Sequence, residues 1–250
     1  MRKMCFFLGC MWIALPGFGQ LQKLCQYGVM PTDNVTSVEV NPALTVVNDS
    51  GGISTSQMTF KVYRALDSHW NGGIELPLAR SESPTKSVNG LGDLVLNATW
   101  VQPETVRRLG YGAKMEMFVP TATDKRLGSG QLQVSPSVFA VWTNGSGWYM
   151  AVGYKHYVSV IGDNARDDID YGRFRGNISY LSENKWWVQT NWYYYQNFRH
   201  TGQMEFVPEA EVGTLVNEGT AFYLNASTHA GGNWKSKNWS VGVGFKVLYL

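Results

Sequence analysis

Twelve segments between Val35 and Tyr249 alternate apolar and polar residues with a period of two, the feature that most limits the fold. In Asp93–Val101, for example, Leu94, Leu96, Ala98 and Trp100 take one side while Asp93, Asn97 and Thr99 take the other. Val35–Val47, Ser54–Arg64, His69–Arg80, Leu109–Val119, Leu132–Trp142 and Trp148–Lys155 repeat the pattern. So do Arg173–Tyr180, Trp186–Tyr194, Met204–Val212, Phe222–Ser227 and Trp239–Tyr249. Successive side chains of a strand point to opposite faces, so each segment reads as a strand with a different solvent on each side.

Asn184–Phe198, crowded with both rings and amides, poses the question of which solvents these are. Trp186, Val188, Thr190, Trp192 and Tyr194 share one face, whereas Gln189, Asn191 and Tyr193 share the other with Trp187 and Tyr195. A secreted β-sandwich alternates in the same way. Against it, charges from many strands gather on the polar face. Trp70, Trp100, Trp142, Trp148, Trp186, Trp192 and Trp239 all fall on the apolar one, several near turns, as interfacial girdles require. After the N-terminus no apolar run reaches the ~20 residues of a spanning helix. Strands cross a bilayer only as a closed barrel, in which every backbone N–H and C=O is paired. The expected fold is therefore all-β: a transmembrane antiparallel up-and-down barrel of about twelve strands over residues 35–250.

The connections sort by parity. Short turns follow the even strands, at 66–68, 102–105, 144–147, 182–185 and 217–219, and the long loops Ser81–Asn89, Thr121–Gly130 and Gly162–Asp168 follow odd ones. That arrangement places both termini in the periplasm. Pro42 and Pro136 fall inside strands and are expected at bulges or strand ends, since a barrel has no free edge. Arg2 and Lys3, the apolar Met4–Leu15 and the small residues before position 20 read as a signal peptide over 1–19. Residues 20–34 are then a short periplasmic segment, and an outer-membrane location follows. Cys5 and Cys10 leave with the signal, which strands Cys25 without a disulfide partner.

The polar faces supply the candidate site. Lys114, Glu116, Lys155, Arg173, Arg175, Tyr193, Glu205, Glu209 and Glu211 would all project into one lumen. In a barrel narrower than the 16–18-stranded porins they make either a polarised constriction or an ion-pair network that fills the bore. Catalysis has thinner support: Ser227 and His229 share a face as a nucleophile and base must, but they point inward, away from a lipid substrate, and no nucleophile elbow accompanies them. We expect no enzyme and no cofactor. No Cys or His cluster has metal spacing, and Asp163, Asp167, Asp168 and Asp170 read first as a flexible acidic loop, second as a cation site. With a net charge of +2 and scattered basic residues, nothing marks the chain as a nucleic-acid binder, and no nucleic-acid partner is expected.

Short motifs also resemble a known family, the phenol meta-pathway outer-membrane proteins. Gly90-Leu91-Gly92-Asp93 running into Leu94-Val95-Leu96 is similar to its GxGD-plus-strand signature, and Glu75-Leu76-Pro77-Leu78 to the strand before it. Val119-Pro120-Thr121, Leu127-Gly128-Ser129-Gly130 and Pro136 resemble the stretch that follows, and Trp239–Lys246 the closing strand. The family motif positions are thus Gly90, Gly92, Asp93, Pro120, Thr121, Gly128 and Gly130. The chain closes on Tyr249-Leu250, one residue past the aromatic with which such barrels usually end. The resemblance covers most of the chain beyond the signal. It implies a barrel that passes or binds small solutes, hydrophobic or aromatic ones included, with outer-membrane lipid and the barrel-assembly machinery as partners. A structural or adhesive barrel with a plugged lumen is the alternative, and a Ser/His lipid hydrolase a more distant one.

Overall fold

The computed structural model describes residues 31–32, 34–48, 53–102, 108–162, 166–217 and 219–249. The expected signal peptide, Cys25 and Asp163 lie outside them. Fourteen strands form one sheet: β1 (Thr36–Asn48), β2 (Ile53–Ala65), β3 (Trp70–Ser83), β4 (Lys86–Leu91), β5 (Leu94–Gln102), β6 (Leu109–Val119) and β7 (Gln131–Thr143), then β8 (Trp148–Gly162), β9 (Asp170–Leu181), β10 (Trp186–Asn197), β11 (Met204–Asn217), β12 (Thr220–Thr228), β13 (Gly231–Gly232) and β14 (Trp239–Tyr249). Every pairing is antiparallel, and β1 pairs with β14 from Thr36↔Tyr249 to Val46↔Trp239, which closes the sheet.

The barrel wall nevertheless has twelve staves, because two of them are split. β4 and β5 both pair with β3, in registers that differ by one residue (Leu78↔Leu91 against Glu75↔Val95). β12 and β13 do the same on β11 (Glu209↔Ser227 against Glu205↔Gly232). Each break lies across from a proline, Pro77 or Pro208, whose missing N–H interrupts the ladder and leaves a bulge as the cheapest continuation. Pro42 and Pro136 behave differently from expectation. They sit in mid-strand, in register, where one neighbouring ladder merely skips a rung: between Val40↔Phe245 and Ala43↔Gly242, and between Val134↔Val158 and Ser137↔Lys155. The expected loop Ser81–Asn89 is also mostly strand, since Ser81–Ser83 pairs with Lys86–Val88 in a hairpin that carries β3 and β4 beyond the barrel rim.

Alternation runs as the sequence implies. Ile74, Val138, Val152, Phe174, Val212 and Val241 are exposed on the outer face, while Glu39, Asn97, Glu116, Asn191 and Glu205 are buried inside. Leaving such apolar side chains in water costs roughly 1.5–3 kcal/mol each, so this outer face is built for hydrocarbon. Rings bound it at both ends. Trp70, Trp100, Trp142, Trp148 and Trp186 stand near the short turns; Tyr154, Phe174, Trp192, Tyr194 and Trp239 stand toward the loops. Neighbours in each belt touch, as Trp148 and Tyr180 do (centroids 5.0 Å apart) and Tyr154 and Phe174 (4.7 Å).

Both ends of the described chain lie at the short-turn end, where Asn34 donates to the carbonyl of Asp67 (2.8 Å). In that β2–β3 turn the Asp67 carboxylate accepts the N–H groups of His69 (2.7 Å) and Trp70 (2.8 Å), which hold its pKa below the ordinary value. Such a barrel should survive detergent extraction: unheated protein is expected to migrate differently from boiled protein and to give a β-type far-ultraviolet dichroism spectrum. A helical spectrum, or migration indifferent to heating, would overturn the fold.

Candidate functional site

The bore of a twelve-strand barrel is narrow, and the inward rings fit because glycines face them across the strand pairs. Trp187 is opposite Gly213, Tyr223 opposite Gly244, Tyr63 opposite Gly73, and Phe139 opposite both Gly112 and Gly153. A Cβ at Gly213, Gly244, Gly73 or Gly112 would overlap the ring it faces. Each ring therefore lies flat along the wall instead of standing across the bore.

Of the lumen candidates, Lys114 and Glu116 on β6 and Lys155 on β8 converge. Glu116 is 7% exposed; it meets Lys114 at 2.6 Å and also pairs with Lys155. The small Ser135 and Ser137 of the intervening β7 make room for that reach. Arg173 and Arg175 on β9 have no such carboxylate among the described residues. Arg175 donates Nε and Nη2 to Asn191 Oδ1 (3.0 and 2.8 Å), and Arg173 lies over the faces of Tyr193 (5.2 Å) and Tyr157 (5.7 Å). The acidic candidates form a separate stripe on β11. Glu209 accepts from Asn191 (2.9 Å) and Tyr193 (3.2 Å), and Glu211 from the Trp187 indole (2.8 Å). Glu205, 1% exposed, accepts from the Ser236 N–H (3.1 Å) and pairs with His229 Nδ1 (3.2 Å). β10 thus stands between an arginine wall and a carboxylate stripe, joined to each through Asn191 and Tyr193.

A second cluster lies outside the nine candidates, although its residues sit on the same polar faces. Glu39 pairs with Lys61 and Lys246, both at 3.2 Å, and accepts from the Tyr223 hydroxyl and from Asn41, both at 2.6 Å. Glu75 accepts from Tyr63 (2.6 Å). The alternation marks all of them as inward; only barrel closure brings β1, β2, β12 and β14 around one carboxylate.

Two features narrow the bore. At the turn end Val141, Tyr149, Leu181, Trp187 and Leu248 form a buried apolar cluster against one side of the lumen, with Val35 packed on it. At the loop end the connection after β13 folds inward, and its Trp234 packs on Tyr171 (5.3 Å) and Tyr195 (6.2 Å) beside the stacked Tyr157–Tyr171 pair (4.4 Å). Between them lies a cavity of about 360 Å³ bounded in part by Glu39, Lys114, Lys155, Arg173, Arg175 and Phe139, reaching Pro31 and Val35 at the turn end.

The hydrolase pair is divided: Ser227 accepts from Lys237 Nζ (2.7 Å), while His229 pairs with Glu205. In the acidic loop, Asp168 pairs with Arg199 (2.6 Å), Asp170 with His156 (3.1 Å) and Asp167 with His200 (3.9 Å).

The motif residues meet at the loop-end rim. Gly92 sits in the bulge, its N–H donating to the Pro77 carbonyl (2.8 Å), where a Cβ would press on the Pro77 ring. Asp93 accepts from the Ser129 N–H (2.6 Å), the Ser129 hydroxyl (2.8 Å) and the Ala122 N–H (3.3 Å). Thr121 Oγ1 accepts from the Leu94 N–H (2.9 Å) and donates to the Gly92 carbonyl (3.2 Å). A Cβ at Gly90 or Gly128 would overlap Thr123 or Asp93. Gly130 takes φ +68°, a left-handed value that favours glycine. Pro120, exposed, ends β6 and starts the loop. These positions together clamp the β6–β7 loop to the β4–β5 bulge, clear of the charged bore.

A closed barrel with a lipid belt, two girdles and a polar lumen defines an outer-membrane β-barrel, the class to which this chain belongs. No family model matches the sequence, and no curated protein does. Solved structures match in fold. The chain is similar to the COG4313 outer membrane channel from Pseudomonas putida F1 (TM-score 0.69, 13% identity, 88% of this chain and 100% of that one). It is also similar to the KdgM porin (0.61, 10%, 86% and 99%) and the NanC porin (0.59, 9%, 85% and 99%).

Two substitutions test these contacts by urea unfolding. Asp93→Ala leaves the Ser129 and Ala122 donors without their acceptor and should cost about 2–3 kcal/mol, with Asp93→Asn costing less. Gly244→Ala displaces Tyr223 from buried Glu39 and should cost a similar amount, about 2–3 kcal/mol. Wild-type stability in either would refute the corresponding contact.

Proposed function

We propose that this chain is an outer-membrane channel for small solutes, hydrophobic and aromatic ones included. The observation that supports it most directly is the lumen cavity, whose wall carries Lys114, Lys155, Arg173, Arg175 and Lys246 against Glu39 and Glu116. Charges left without a counter-charge along a narrow bore orient and select what passes, whereas a fully paired network would only fill it. Lys114, Glu116, Lys155, Arg173, Arg175, Tyr193, Glu205, Glu209 and Glu211 are the selectivity residues of this reading, and Glu39, Lys61 and Lys246 join them. Kinship with the phenol meta-pathway outer-membrane proteins belongs to the same proposal, supported by the clamp that the Gly90–Asp93 and Leu127–Gly130 motifs build. Residues 1–19 then direct export and 20–34 lie in the periplasm with the turn end. Outer-membrane lipid and the barrel-assembly machinery are the partners.

One observation favours the second reading, a structural or adhesive barrel with a closed lumen: the apolar cluster and Trp234 narrow opposite ends of the bore. Planar-bilayer recording separates the two. A channel gives discrete current steps, and Trp234→Ala should enlarge them. Folded protein that is silent over a range of salts, with Trp234→Ala equally silent, would favour the closed barrel.

A further inference from the structure

Resting on the channel reading, we propose that the lumen cavity is a binding site for a small organic anion, a one-ring aromatic carboxylate. The cavity wall contains five basic side chains, Lys114, Lys155, Arg173, Arg175 and Lys246, but two carboxylates, Glu39 and Glu116, a formal excess of three (5 − 2). Those two carboxylates are already shared. Glu116 serves both Lys114 and Lys155, and Glu39 serves both Lys246 and Lys61.

The two arginines carry the argument further. Among the described residues neither pairs with a carboxylate. Arg175 spends two N–H groups on one neutral amide oxygen, that of Asn191. Arg173 is stacked between Tyr193 and Tyr157, and its buried Nε has no hydrogen-bond partner. The carboxylates that could neutralise them, Glu209 and Glu211, are turned to Asn191, Tyr193 and Trp187 and lie outside the cavity wall. Guanidinium groups held without counter-charge at a cavity are built to receive an anion, and a carboxylate matches their planar donor geometry.

The rest of the ligand follows from size and lining. About 360 Å³ falls at the small end of ligand sites and accommodates one ring. Phe139 and Tyr63 line the same space and offer apolar surface to the ring.

Benzoate, benzyl alcohol and benzylamine, one-ring molecules of similar size but different charge, probe the two halves of this claim. Full-length protein in planar bilayers should prefer chloride to potassium in a salt gradient, and benzoate should reduce the current where benzylamine and benzyl alcohol do not. Equilibrium binding to detergent-solubilised barrel should rank the three in the same order. In Arg173→Gln/Arg175→Gln, checked for heat-modifiable migration, the chloride preference and the benzoate affinity should each fall about tenfold. Arg173→Lys/Arg175→Lys keeps the charge and should recover the ion preference more than the benzoate affinity. A conducting channel without anion preference, bound no better by benzoate than by benzylamine, overturns this inference and leaves the channel reading standing. Absence of current overturns the channel reading, and the equilibrium ranking then decides this one: benzoate binding that the double variant loses upholds it, and no preference for benzoate ends it. Should the double variant fail to fold, the ranking of the three probes on wild-type protein decides it in the same way.

Discussion

Everything in this molecule depends on the pairing of β1 with β14. In hydrocarbon an unpaired backbone N–H or C=O costs several kcal/mol, so a sheet with two free edges has no place there. The run from Thr36↔Tyr249 to Val46↔Trp239 removes both edges at once. Closure in turn converts one face of every strand into a common lumen and the other into a common lipid surface. The girdles, the buried charges and the cavity are consequences of that single seam.

Where the wall departs from regularity, a backbone constraint explains it. Pro77 and Pro208 cannot donate, and the staves opposite them break into β4/β5 and β12/β13. The first break is then put to use, because the bulge turns Asp93 toward Ser129 and ties down the β6–β7 loop. The second ends in the loop that carries Trp234 and Ser236 inward to Tyr171 and Glu205. The bore itself is kept from filling by glycine: four inward rings face glycines across the ladders and lie along the wall.

Much of this was legible in the residues. The stretch around Trp186–Tyr195 divides between lipid and lumen as its alternation implies, and Trp187, Tyr193 and Tyr195 do point inward. The prolines were harder to place. Pro42 and Pro136 look like strand breakers, yet each costs only a rung, whereas Pro77 and Pro208 accompany register changes. Nothing local distinguishes the two pairs, since the outcome depends on what the neighbouring strand can do. Ser81–Asn89 looked like a loop because its pattern is polar on both sides. Beyond the rim both faces meet water, so a hairpin there needs no alternation.

By itself the sequence determined that each segment has two solvents, because side-chain period and residue polarity are both written locally. It therefore determined the twelve staves, the closed barrel and the set of inward charges, Glu39, Lys61 and Lys246 among them, but not the β3–β4 hairpin or the short β13. Which charges neutralise each other was decided only by the tertiary structure. Lys155 reaches Glu116 across a strand of small serines, while Arg173 and Arg175, no less basic, are left with rings and an amide. That difference arises from register and from which staves adjoin, and Coulomb energy depends on those distances rather than on spacing along the chain.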